Sequence, residues 1–210
     1  MTEPAMPSFS RRAAAAALVA LPFCWSGARA QPSAALRATP RQTEGPFYPV
    51  ALPKDADADL LRNGALQYTL GEPAWVEGTV SDLQGRPVAG AQVEIWQCDQ
   101  AGHYHHPGDR GTADPRFQGF GRVTVGADGR YRFRTIRPAP YSGRTPHIHV
   151  KVKLDRRELL TTQLYVEGDP HNERDFLWRN LGEDRALVTV PFRRSGEGLQ
   201  ADFPIVLASA

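Results

Sequence analysis

His147-Ile148-His149-Val150-Lys151-Val152-Lys153 alternates polar and apolar side chains with a period of two, the pattern of a β-strand. Successive side chains leave a strand on opposite faces, so both imidazoles emerge on the same face, within reach of one metal ion. Outward from this stretch the chain reads as short strands near residues 75–81, 91–97, 120–125, 130–135, 147–154, 160–166, 186–191 and 202–207. Turn residues break the series at Gln84-Gly85, Asp128-Gly129 and Gly168-Asp169-Pro170. Short strands at regular turn spacing predict an all-β fold, an antiparallel β-sandwich with little helix. Only Glu173–Leu181 reads as helical, with one helical turn or two over Asp55–Leu61.

Residues 31–74 carry Pro32, Pro40, Pro46, Pro49, Pro53 and Pro73, which prevent a long helix or a central strand. Thr43-Glu-Gly-Pro-Phe-Tyr-Pro49 is rich in aromatic surface, so this segment is expected to be an irregular N-terminal arm packed on a core spanning residues 75–210. With 210 residues and neither repeat nor linker, one domain of ordinary size is expected.

Residues 1–30 read as an export signal rather than as fold. Arg11-Arg12 precedes the apolar run Ala13–Phe23, and Ala28-Arg29-Ala30 supplies a small-x-small cleavage pattern. Ser10-Arg11-Arg12 also fits a twin-arginine signal, with ordinary secretion as the alternative. The expected location is periplasmic or secreted. Of 25 basic and 23 acidic residues, cleavage before Gln31 removes Arg11, Arg12, Arg29 and Glu3, leaving 22 of each and no net charge. No basic footprint remains for nucleic acid or an anionic membrane. Cys24 leaves with the signal, so Cys98 has no partner for an intramolecular disulfide and reads as a small buried residue.

Two further features cluster around the His-x-His strand. Tyr141 and Arg144 immediately precede it, and Tyr104 follows the strand near Ile95-Trp96. Two phenols and two imidazoles suit a hard, highly charged cation such as ferric iron. Zinc gains less from phenolate and prefers imidazole or thiolate. Taken one at a time, Tyr141 could cap the core, Arg144 could be a solvated charge and a lone His-x-His could be structural. His103, His105 and His106 around Tyr104 suggest a rival zinc or copper site, although Gly102 and Pro107-Gly108 mark a surface loop in which histidines are often merely solvated.

The combination resembles the intradiol ring-cleavage dioxygenases, the family of protocatechuate 3,4-dioxygenase and catechol 1,2-dioxygenase. The resemblance runs through Thr43–Pro49, Trp96 with Gly102-His-Tyr104, Gly129-Arg-Tyr-Arg-Phe-Arg-Thr-Ile-Arg-Pro138, Pro140-Tyr141, Arg144-Thr-Pro-His147-Ile-His149 and Gln163-Leu-Tyr-Val-Glu-Gly-Asp169. It implies that Tyr104, Tyr141, His147 and His149 bind non-haem Fe(III), and that a catechol and O2 are the substrates. It implies that Tyr141 leaves the metal to accept a substrate proton, that Arg144 stabilises developing negative charge, and that Gln163 orients Arg144 or the oxygen pocket. The product would be a cis,cis-muconate-type diacid. Five residues separate Tyr141 from His147, a short loop that implies an open pocket above the metal. Which catechol is cleaved, and whether chains pair through a strand edge or the arm, are left open. The alternative is an exported, non-enzymatic β-sandwich binding module with a vacant metal site.

Overall fold

The computed structural model describes residues 1–2 and 36–209. The expected export signal, with Arg11, Arg12, Ala13–Phe23, Cys24 and Ala28–Ala30, lies outside the described residues. By internal contacts the chain divides into Met1–Pro32 and Ser33–Ala210, and all regular structure among the described residues belongs to the second unit.

The strands are β1 (Arg62–Asn63), β2 (Leu66–Gln67), β3 (Pro73–Asp82), β4 (Gln92–Trp96), β5 (Phe120–Thr124), β6 (Arg130–Ile136), β7 (His147–Leu154), β8 (Arg157–Val166), β9 (Thr189–Val190), β10 (Arg193–Ser195), β11 (Gly198–Asp202) and β12 (Ile205–Leu207). One short helix, α1 (Phe176–Asn180), lies between 3-10 turns at Asn172–Arg174 and Gly182–Leu187. Two five-stranded sheets result. In one, β3 is flanked by β6 on one side and by β11 and then β12 on the other; the second runs β5-β4-β7-β8-β9. Val76, Val80, Phe133 and Ile205 of the first share a core with Val93, Ile95, Ile148, Val150 and Leu164 of the second, so the sheets face each other as a sandwich.

The pairing is antiparallel except where β3 meets β11 and β12 and where β8 meets β9, all three parallel. The switch from β11 to β12 along β3 occurs at Phe203-Pro204. There the Phe203 amide donates to the Glu77 carbonyl (2.7 Å), and a Cβ on Gly78 would lie 2.2 Å from the Phe203 oxygen. Only glycine admits that approach.

Several sequence expectations need correction. The strand expected at 186–191 survives only as Thr189–Val190, because Gly182–Leu187 winds as a 3-10 helix. The strand expected at 202–207 is two strands joined at Phe203-Pro204. Asp55–Leu61 forms no helical turn: Asp57 and Asp59 side chains accept the amides of Asp59 (2.8 Å) and Leu61 (3.1 Å), and Asp59 bridges to Arg134. Short acidic side chains that capture nearby amides compete with helix formation.

Between residues 36 and 61 the chain holds no helix and no strand, yet it is tied down closely. The Thr39 amide donates to the Val206 carbonyl (2.9 Å) and the Gln42 amide to that of Thr161 (2.8 Å). The first tie is to β12 of the first sheet and the second to β8; from there Gly45 and Tyr48 lie against His149 and Trp96 on the outer face of the second sheet, where the candidate site is found.

Candidate metal centre

β7 lies between β4 and β8, in register so that Trp96, His149 and Gln163 form one cross-strand row and His147 faces Tyr165. Ile148, Val150 and Val152 point into the core and His147, His149 and Lys151 point outward, yet all six are buried. The indole of Trp96 stacks nearly parallel on the imidazole of His149, centroids 4.8 Å apart at 8°. On the arm side, a Cβ on Gly45 would stand 3.2 Å from His149 Cε1. His149 is thus held between a strand neighbour and the arm.

Tyr141 begins a reversal in which Ser142 (φ 45°) and Gly143 (φ 77°) are both left-handed and the Arg144 amide donates back to the Tyr141 carbonyl (2.7 Å). Two positive φ angles in succession make a type I′ turn, which brings Tyr141 and Arg144 side by side. Tyr104 arrives from a loop organised by Asp99, whose Oδ1 accepts the amides of Ala101 (2.9 Å) and His103 (3.0 Å) and whose Oδ2 accepts that of Asp114 (2.8 Å).

The two loops bring the phenols onto the imidazoles. Ring centroids lie 5.0 Å apart for Tyr104 and Tyr141, 5.3 Å for Tyr141 and His147, 4.8 Å for His147 and His149, and 6.1 Å for Tyr104 and His149. Phe47 of the arm stacks on Tyr104 (4.7 Å) and meets Tyr141 edge-on (5.7 Å). A cavity of about 510 Å³ opens beside Tyr141, with Phe47, Gly102, His103, Asp109 and Arg110 in its walls. A smaller one, about 240 Å³, lies on the Trp96 and Tyr104 side of Phe47.

The electrostatics fit a cation. His147 Nδ1 lies 2.6 Å from the Thr145 carbonyl, so it carries the proton and leaves Nε2 with a lone pair. That Nε2 is 3.3 Å from His149 Nε2. Two ligands about 2.1 Å from one metal at a right angle stand about 3 Å apart, so this spacing suits a shared ion. Burial and the nearby Arg144 charge push His147 down to about 4. Burial, the His147 ring and Arg144 push His149 well below the ordinary imidazole value, so both are neutral donors. The Tyr104 hydroxyl and His149 Nδ1 are buried with no hydrogen-bond partner. Burial raises Tyr104 well above the usual phenol value, with Cys98 and Tyr141 adding to it, and burial raises Tyr141 despite Arg144. A polyvalent ion that draws off the phenol protons would relieve the partnerless oxygen. The donors therefore fit Fe(III).

Arg144 and Gln163 adjoin this cluster. Arg144 donates from one terminal nitrogen to Gln163 Oε1 (2.7 Å) and from Nε to Asp175 Oδ2 (2.6 Å). Gln163 Nε2 in turn donates to the Thr43 carbonyl of the arm (3.1 Å), and the Tyr165 hydroxyl lies 3.0 Å from Gln163 Oε1. Burial alone would raise the Asp175 carboxyl, but Arg144 and the backbone amides around it hold it below the usual range. Sequence reading missed Asp175, Gly45, Phe47 and Trp96 as parts of this site. An aspartate just ahead of the Phe176 helix is a capping signal that could have drawn attention to Asp175.

The histidines around Tyr104 do not form a second centre. His105 Nε2 lies 2.6 Å from the Phe117 carbonyl, His106 Nδ1 accepts the Gly108 amide (2.9 Å), and His103 stands 3.5 Å from Asp109. Each is engaged separately, and among the described residues no three His, Cys, Asp or Glu side chains converge as metal ligands. Cys98 is fully buried, its thiol pushed up to about 12 by burial, in keeping with an inert packing residue.

Comparison with known proteins agrees with this geometry. A family model described as Dioxygenase matches residues 43–209. The chain is 35% identical over 200 residues to hydroxyquinol 1,2-dioxygenase of Nocardioides simplex, an alignment covering 82% of this chain and 66% of that protein. It is 37% identical over 167 residues to the protocatechuate 3,4-dioxygenase beta chain of Burkholderia cepacia, covering 72% and 71%. It therefore spans about two thirds of the length of these relatives. The dioxygenase domain of a dioxygenase carbohydrate-binding protein fusion from Streptomyces sp. SirexAA-E aligns with a TM-score of 0.67 at 34% identity, over 83% of this chain and 100% of that one. An intradiol ring-cleavage dioxygenase from Tetranychus urticae shares the fold, with a TM-score of 0.67 at 20% identity, over 82% and 95%. With two phenols and two imidazoles gathered on the outer face of the second sheet, and a family match spanning arm and sandwich alike, the chain belongs to the intradiol ring-cleavage dioxygenases.

Proposed function

We propose that this protein is a non-haem Fe(III) intradiol dioxygenase. It adds both atoms of O2 to a catechol and opens the ring between the two hydroxylated carbons, yielding a cis,cis-muconate-type diacid. One observation carries this reading: two phenols, one of them buried without a hydrogen-bond partner, cluster with two neutral imidazoles whose Nε2 atoms are 3.3 Å apart. Tyr104, Tyr141, His147 and His149 would hold the metal. Bound Fe(III) would supply the positive charge that draws off phenol protons and makes the carbons of a bound catechol reactive toward O2.

The chain's own residues then divide the work. Tyr141 is half-buried at the edge of the larger cavity, whereas Tyr104 is 3% exposed beneath Phe47. Tyr141 would accordingly be the residue free to move, and its oxygen, once deprotonated, would take one proton from the incoming catechol. Tyr104, His147 and His149 stay in position. Two of the five guanidinium N–H groups of Arg144 are engaged by Asp175 and Gln163. The others are available to a substrate oxygen that gains negative charge. Gln163 orients Arg144, and Phe47 shields the two phenols from water.

The test combines metal analysis, absorption and oxygen uptake on a panel of catechols, including protocatechuate, catechol and hydroxyquinol. Iron near one per chain, a burgundy colour and one O2 consumed per ring opened are expected. A native, metal-free protein inert toward the whole panel would leave a binding module instead. Export belongs to the same proposal, and protein recovered outside the cytoplasm should begin at Gln31.

A further inference from the structure

The reading above gives Asp175 no role beyond occupying one N–H group of Arg144, yet its side chain is wholly buried and each of its oxygens has a separate task. Oδ1 caps α1, accepting the amides of Leu177 and Trp178, both at 3.0 Å. Oδ2 accepts Arg144 Nε at 2.6 Å and the Thr145 amide at 3.0 Å. Thr145 carries the alignment onward: its carbonyl meets His147 Nδ1 at 2.6 Å, and its hydroxyl meets Asn172 Oδ1 at 2.6 Å.

An arginine side chain has many rotamers, and its planar fork is directed only when acceptors meet it on more than one side. Asp175 at 2.6 Å and Gln163 at 2.7 Å accept from Arg144 on two sides, and Gln163 is the uncharged one. Both bonds are charge-assisted through the guanidinium, but only Asp175 adds a full opposite charge, in an ion pair with little solvent around it, so the carboxylate sets the guanidinium plane. We propose that Asp175 is the positioning residue of this site, turning the unengaged N–H edge of Arg144 toward the substrate. The inference rests on the functional reading of Arg144 given above.

Asp175→Asn and Asp175→Ser separate this role from capping. Both keep an oxygen able to cap α1. Neither presents a negative charge to Arg144, and serine is one bond shorter. In the iron-loaded enzyme each should lower kcat about 10- to 100-fold while KM shifts less than about 3-fold. Combined with Arg144→Ala, Asp175→Asn should add no more than about a 2-fold loss, since its effect travels through the missing side chain. A second readout needs no activity. In metal-free protein, ¹⁵N NMR should find Arg144 Nε–H exchanging slowly with water, and at least about 10-fold faster in both variants. Equal kcat losses with and without Arg144, or unchanged Nε–H exchange, would overturn the proposal. If iron-loaded wild-type protein cleaves no catechol, the functional reading falls, and the exchange measurement alone decides whether Asp175 holds Arg144.

Discussion

Gly45→Ala probes the junction of arm and metal centre most sharply. Gly45 has φ 74°, and an added Cβ would stand 3.2 Å from His149 Cε1 and 3.9 Å from His149 Nε2. The left-handed conformation costs an alanine about 1–2 kcal/mol. The stiffer unfolded chain returns about 0.4–1 kcal/mol of that. Gly168, at φ 72° with nothing within 4 Å of an added methyl group, would suffer the same backbone penalty and no contact. The difference between the two variants therefore isolates the push on the imidazole. His149 cannot slide away freely, because Trp96 lies parallel to it at 4.8 Å and the His147 ring is also 4.8 Å distant. A shift of a few tenths of an ångström would misalign the Nε2 lone pair, and a loss of about 1.4 kcal/mol is tenfold in affinity. Both variants should lose about 1 kcal/mol in urea unfolding of metal-free protein. Only Gly45→Ala should release iron about 10-fold more readily to a competing chelator. Indistinguishable iron retention in the two variants would refute the claimed contact between arm and ligand.

Other consequences can be checked directly. Tyr141→Phe should impair turnover more than iron content, whereas Tyr104→Phe should cost iron, because Tyr141 is half-buried at the cavity and Tyr104 is deep; equal iron loss in the two contradicts this asymmetry. Arg144→Ala should slow turnover of bound catechol about 100-fold, the scale of a lost oxyanion donor, and unchanged kcat would remove it from the mechanism. Removing iron with a chelator should abolish the visible absorption, and a colour that persists in iron-free protein would assign it to something other than tyrosinate bound to iron. Glu94→Ala should destabilise the fold by about 2–4 kcal/mol in urea titrations, since its buried carboxylate pairs with Lys153 at 2.9 Å and accepts from Tyr48 at 2.9 Å. A change under about 0.5 kcal/mol would show that the pair contributes nothing net.

The central strands could be read from the sequence because their causes are local. β3 to β8 each show alternation or a β-branched run, and the breaks hold glycines such as Gly85 (φ 78°) and Gly129 (φ 69°) that only a turn requires. The C-terminal pieces resisted for the opposite reason. Arg193-Arg194-Ser195 of β10 is exposed and charged, with no pattern to separate it from a solvated loop, and it is a strand only because β11 is there to pair with it. β11 and β12 in turn lie parallel to β3, and parallel partners distant in sequence leave no trace in short-range spacing. In the site, the four expected ligands were visible as residue types, while Asp175 and Gly45 were not: their roles arise from segments packed against β7 across the fold.

The two outward-facing halves of β7 show what the arm contributes. In an open sandwich this face would be wet, and His147, His149 and Lys151 would simply be solvated. Covered by the arm, they meet two different solutions to the cost of burying charge. At one end the imidazoles stay neutral, because burial and Arg144 disfavour a second positive charge there. At the other, Lys151 is paired with Glu44 of the arm, with Glu158 at 3.6 Å and its Nζ 3.8 Å from the Tyr48 ring centre. Tyr48 in turn accepts from Lys153 (2.9 Å) and donates to Glu94 (2.9 Å). Glu44 and Tyr48 flank Gly45 and Phe47, which lie beside His149 and against the rings of Tyr104 and Tyr141, so the paired side chains fix the segment that makes the imidazole end dry. The alternation along β7 specified direction only; what each side chain became was decided by the arm laid across it.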